Sequence, residues 1–259
     1  MIELPFKFTS HTVAISYSPI QGLLPRVEVA ARKSADHVLF VARADDDVLL
    51  QSSSGSTQVI VRPADALAQT TYYGTFVEPS AWSERSVYTL VKLDALLRVL
   101  SEAGARLAFI GITLGARLSN RDVDREALRR AASSTFGAVP QLTQGEKCFD
   151  FSLRASRIVE PDEFFNLSAN WYQSRSAAVA ISAGSGQVLA PQPWQMQLDD
   201  EGVELRFDRN NRHALFRGDL SWSGDRMMEV AKRAMAGFRP AYEALAGALA
   251  LAYNAEKGG

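Results

Sequence analysis

One segment constrains the chain more than any other. Leu93, Leu96, Leu97 and Leu100 recur at helical spacing, and Gly104 follows where a left-handed C-cap is needed. Residues 105–118 then run apolar on alternating faces, with Leu107 and Phe109 on one side and Ile110, Ile112 and Leu114 on the other. A strand with that pattern is expected to be central and covered on both sides. Asn120 or Asp122 is placed to cap a second helix, whose Val123, Ala127, Leu128 and Ala131 form a stripe ending near Gly137.

Around this nucleus the chain reads as short strands. Residues 12–17 put Val13, Ile15 and Tyr17 on one face, and residues 27–31 do the same with Val27, Val29 and Ala31. Residues 37–42, 48–51 and 58–62 follow, joined by Asp45-Asp46-Asp47 and by a serine-rich turn over 52–56. Connections this short make antiparallel neighbours, hence a meander. Residues 137–145, with Pro140, mark an internal boundary. Beyond it, strands are expected at 148–157, 177–182, 203–207 and 214–217, with a helical turn near 162–167 and a long helix over 225–253.

The expected class is α+β: mostly antiparallel sheets with helices packed on one face and a long C-terminal helix. A strand-rich half over 1–138 with two helices precedes a second half over 146–255, either as two units or as one continuous domain. Both halves run from strands into helices, which leaves a divergent duplication open.

Composition sets outer limits on function. With 47% hydrophobic and 22% charged residues, the 259-residue chain can bury a core. Its longest near-apolar stretch, residues 244–253, is short of the roughly twenty residues that span a bilayer. The opening Met1-Ile2-Glu3-Leu4-Pro5 lacks the basic and apolar regions of a secretory signal, so a cytoplasmic protein with no membrane partner is expected. A single cysteine excludes an internal disulfide, and a formal net charge of −1 argues against a generally basic nucleic-acid coat.

Enzyme signatures are sparse. His11, His37 and His213 show no metal spacing, and neither the dinucleotide-binding glycine pattern nor a phosphate loop occurs. The acidic runs Asp45–Asp47 and Asp199-Asp200-Glu201 fall where strands must reverse, which favours Asp for backbone reasons. Cys148 has conflicting polar neighbours and no nearby histidine. No cofactor and no metal are therefore expected.

Three groups of residues remain as candidate sites. Asn166, Asn170, Trp171, Tyr172 and Arg175 concentrate amide and aromatic groups suited to a ligand pocket, against the alternative of a core anchor with turn-capping amides. Trp194 is equally ambiguous.

Arginine outnumbers lysine 22 to 6. The bias fits either codon usage in a GC-rich bacterial genome or bidentate recognition of phosphate and carboxylate. Arg121, Arg125 and Arg129 recur every four residues, and Arg206, Arg209 and Arg212 cluster around Asn210-Asn211, so both sets could contact a polyanion. In the last helix, Leu245, Ala248, Leu249 and Ala252 lie on apolar faces that either meet another copy or are buried by the chain itself.

The function expected on these grounds is non-catalytic binding of a protein or small ligand by surface recognition, with self-association as one form of it. The alternatives are a hydrolase whose residues converge only in three dimensions, and a nucleic-acid binder acting through the arginine rows.

Overall fold

The computed structural model describes residues 3–18, 21–33, 40–43, 48–51, 57–71, 82–137, 152–159, 162–176, 180–181, 188–189, 196–219 and 222–258. His37, Asp45–Asp47, the 52–56 turn, Pro140, Cys148 and Trp194 lie outside these residues. The elements are β1 (Lys7–Ser18), α1 (Leu23–Lys33), β2 (Phe40–Arg43), β3 (Val48–Gln51), β4 (Thr57–Val61), β5 (Asp65–Thr71), α2 (Trp82–Glu102), β6 (Arg106–Ser119) and α3 (Arg125–Phe136). There follow β7 (Ser152–Val159), β8 (Glu163–Ser176), β9 (Ala180–Ile181), β10 (Val188–Leu189), β11 (Gln197–Asn210), α4 (Arg212–Phe216) and α5 (Gly224–Gly258).

Among the described residues, nine strands form one antiparallel sheet in the order β2-β3-β4-β5-β1-β6-β11-β8-β7, with β9 and β10 as a separate hairpin. Its middle joins distant segments: β6 lies between β1 and β11. Val13, Ile15 and Tyr17 of β1, Ile110, Ile112 and Leu114 of β6, and Val203, Leu205 and Phe207 of β11 share one face and are buried.

Helices cover that face. Met227, Val230, Ala231, Ala234 and Phe238 of α5 are buried, and the Phe238 ring lies 6.0 Å from Phe165 and 6.1 Å from Phe207. The α2 stripe of Leu93, Leu96, Leu97 and Leu100 joins the same cluster, as do Ala127, Leu128 and Ala131 of α3. Gly104 ends α2 at φ +86°, the left-handed conformation its position calls for. This is the α+β arrangement with an antiparallel sheet, α2, α3 and α5 on one face and a long terminal helix; the short α4 lies against Phe164 on the other face.

Several local expectations are corrected. Among the described residues the long helices cover one side of β6, and its two-sided apolar pattern arises because a register shift between the Ser16–Phe109 and Tyr17–Leu107 pairs bulges at Ala108 and returns Leu107 to the helix-covered face. The buried Asn211 side chain holds this bulge: it donates to Ala108 O at 2.9 Å and accepts from Ile110 N at 2.8 Å.

Residues 27–31 are helical rather than extended. Burial follows the helical spacing of Leu23 and Val27 while Val29 stays exposed, and Pro25 sits in the first turn, where its missing N–H is tolerated. Residues 162–167 open β8 instead of forming a helical turn, after a hairpin in which Asp162 adopts φ +97°. Residues 214–217 belong to α4 and its C-cap, not to a strand. Asp124 caps α3, its carboxylate accepting from Ala127 N at 2.9 Å, in place of Asn120 or Asp122. Strand β5 had no sequence signal of its own.

Candidate functional site on the open face of the sheet

Period-two alternation divides the amide and aromatic cluster between the two faces of β8. Asn166, Asn170 and Tyr172 lie at even spacings and share the face away from the long helices, whereas Trp171 and Arg175 belong to the opposite series. Trp171 is buried and its indole Nε1 donates to Glu201 Oε2 at 3.3 Å; the exposed Arg175 donates to Gln173 Oε1 at 3.0 Å.

The open face acquires its chemistry from cross-strand registry. Asn166 lies opposite Asp208, Ser168 opposite Arg206, and Asn170 opposite Glu204; beyond β11, Thr113 faces Asp208 and Arg117 faces Glu204. Asp208 consequently accepts from Asn166 Nδ2 at 2.6 Å, Asn210 Nδ2 at 2.6 Å and Thr113 Oγ1 at 3.2 Å. Glu204 accepts from Arg117 Nε at 2.9 Å and stands 3.6 Å from Arg206 Nη2.

A third carboxylate, Asp200, accepts from Tyr172 Oη at 2.7 Å and Ser119 Oγ at 2.5 Å, while the Arg117 guanidinium lies 4.6 Å above the Tyr172 ring. Burial, then the bond to Asp200, holds the Tyr172 phenol well above its ordinary pKa. At neutral pH the phenol keeps its proton and donates a hydrogen bond to Asp200.

Gly202 belongs to the same frame. A Cβ there would run into the Leu118 carbonyl oxygen, so the close approach of β11 to β6 requires glycine. Carboxylates, amides, hydroxyls and guanidinium groups are thus pre-oriented on a half-exposed sheet surface suited to recognition.

The covered face holds a different set. Glu163, only 1% exposed, receives Arg209 and Arg233, with Arg233 Nε at 3.0 Å, and Arg209 Nη1 also donates to Arg233 O at 3.2 Å. Glu201 receives Arg125, Trp171 Nε1, Gln173 Nε2 and Asn120 Nδ2. His11 is also buried here: its Nδ1 lies 2.8 Å from Thr89 Oγ1, and desolvation lowers its pKa to about 4. A buried neutral imidazole with a threonine neighbour is a core histidine.

The arginine rows are dispersed accordingly. Arg121 bonds to the Asp199 carbonyl and Arg125 to Glu201, on the flank where Arg129 of the same row follows one turn further along α3. Arg206 lies on the open face, Arg209 on the covered face, and Arg212 places its guanidinium 5.9 Å from the Phe109 ring centroid. The Asp199-Asp200-Glu201 run is likewise split: Asp199 accepts from Ser176 Oγ at 2.8 Å, Asp200 faces the open side and Glu201 the helices.

Of the four α5 residues, Leu249 is buried in the chain's own core, Leu245 and Ala252 are half-buried, and Ala248 is exposed. Tyr253 beside them is also internal, its Oη accepting from Asp124 N at 3.0 Å. Sequence reasoning located Asn166, Asn170 and Tyr172 by composition but missed Thr113, Arg117, Glu204 and Asp208. Only the strand register brings those four to the cluster.

A scan against protein-family models finds no match, and a search of curated proteins finds no relative. Among the described residues no helix is long and apolar enough to cross a membrane.

Proposed function

We propose that the protein is a non-catalytic binding protein that recognises a protein or small ligand through the open face of its sheet. The supporting observation is the Asp208 node. One carboxylate held by Asn166, Asn210 and Thr113 fixes the orientation of side chains from three strands before any ligand arrives. Preorganised polar groups of this kind lower the ordering cost of recognition. The intramolecular commitments of Arg121, Arg125 and Arg209 give less support to a polyanion-binding surface. The buried position of His11 likewise gives less support to hydrolysis.

The test compares the wild type with an Asn166→Ala/Asn170→Ala variant across a panel of peptides, saccharides and small anions, read by thermal shift and by NMR. A ligand present at a hundred times its Kd stabilises its target by about 2.7 kcal/mol, which is readily seen. At least one panel member is expected to shift the wild type and not the variant. Ligands that shift both equally would refute the Asp208 node as the recognition surface.

A further inference from the structure

We infer that one corner of the open face, where β7 meets α4, is the docking site for an acidic, extended peptide segment of a partner protein, which adds as a strand to β7. The inference rests on the reading of the chain as a binding protein. It concerns a separate contact from the Asp208 node.

Four observations carry it. Phe216 of α4 is 74% exposed and Ile158 of β7 is 58% exposed, both large apolar side chains left in contact with water. They flank one another through Phe164: Ile158 lies opposite Phe164 in the β7–β8 register, and the Phe216 ring stands 6.1 Å from Phe164, edge-on. The apolar corner is therefore contiguous. Aromatic groups in such settings dominate binding energy when a partner covers them.

Third, β7 pairs only with β8 among the described residues, and its side chains are exposed on both faces over most of its length. Its outer backbone groups offer a template for an added strand. Fourth, the described charges around this edge are mainly cationic. Arg154 and Arg157 project from opposite faces of β7, and Arg212 and Arg217 are exposed on the adjoining α4 and its C-cap. Asp162 is held by Arg217 at 3.0 Å. An incoming strand meets a guanidinium on either side and an apolar platform at one end. That combination selects carboxylates along the segment and an aromatic or branched aliphatic residue as its anchor.

The probe is a fluorescent, capped peptide of alternating Asp or Glu with Val, carrying one Phe. Its controls are the same peptide with Lys for every acid, and the same peptide N-methylated at alternate amides so that it cannot pair as a strand. Expected are saturable binding of the acidic peptide that weakens as salt rises, hydrogen-exchange protection of β7 amides, and little binding of either control. Phe216→Ser and Arg154→Glu/Arg157→Glu should each reduce affinity tenfold or more. These residues are exposed, so the melting temperature should not change.

Equal binding of the Lys peptide, an unaffected Phe216→Ser variant, or no binding at millimolar peptide would overturn the proposal. So would a wild-type dimer in light scattering that Phe216→Ser converts to monomer, because a second copy would then be the occupant. Peptide binding by Asn166→Ala/Asn170→Ala separates this corner from the Asp208 node. If it persists while the ligand panel fails, the docking site stands and the node does not.

Discussion

Strands β8 and β11 together place carboxylates on both faces of the sheet, and the two sets do opposite things. On the covered face, Glu163 and Glu201 are sealed among guanidinium and indole groups contributed by helices α3 and α5 and by the sheet itself. On the open face, Asp200, Glu204 and Asp208 are only partly buried and accept mainly from hydroxyls, amides and one arginine of neighbouring strands. The same residue type is a structural clamp in one setting and an orienting node in the other. The difference lies in how much solvation each carboxylate would have to recover if its partners were removed.

The sharpest way to break this comparison is to place a charge on each face in turn. Ile112→Asp puts an unpaired carboxylate into the covered layer and should abolish folding, whereas Ser168→Asp, between Arg154 and Arg206 in register, should leave the circular dichroism spectrum and melting temperature near wild type. A folded Ile112→Asp protein would show that the two faces are not distinct.

Next in size is Glu163→Gln, which leaves Arg209 and Arg233 without their counter-charge and should cost about 3–5 kcal/mol in urea unfolding. Asp208→Asn on the other face should cost less than about 1 kcal/mol. Similar losses at the two sites would remove the distinction between clamp and node.

The effect confined to the narrowest conditions is an acid-dependent one. His11 is neutral in the folded state because its pKa is lowered to about 4 from 6.5, so the unfolded chain binds more protons between those values. Its contribution is fully present above pH 6.5 and declines as pH falls towards 4, by about 3 kcal/mol at the limit. Stability of His11→Gln measured against pH should lack that component, and a variant that tracks the wild type through the whole interval would count against it.

Legibility in the sequence followed the range of the interactions. The α2 stripe, the Gly104 cap, the end of α3 near Gly137 and the length of α5 depend on neighbours within a few residues, and all were readable. The bulge at Ala108 was not, since it is held by Asn211 from the far end of β11. Helices α1 and α4 escaped because Val27 and Val29 mimic alternation and because α4 is only five residues long. The open-face cluster was half readable: Asn166, Asn170 and Tyr172 are close in sequence, while Thr113 and Arg117 reach them only through β11. Arginine abundance was visible, but the carboxylates that bind Arg125, Arg209 and Arg233 are distant in the chain.

The position of β6 between β1 and β11 also governs the order in which the molecule can be completed during synthesis. As the chain leaves the ribosome, β6 finds β1 already made, but its other edge has no partner until residues 197–210 emerge. The α5 side chains that cover Ile110, Ile112 and Leu114 come later still. Throughout that interval the nascent chain exposes an unpaired strand edge with a run of branched apolar residues, the kind of surface on which chains associate with one another. Even the N-terminus of α3 stays incomplete until Tyr253 arrives to accept the Asp124 N–H. A chain truncated before β11 should therefore be recovered as aggregate.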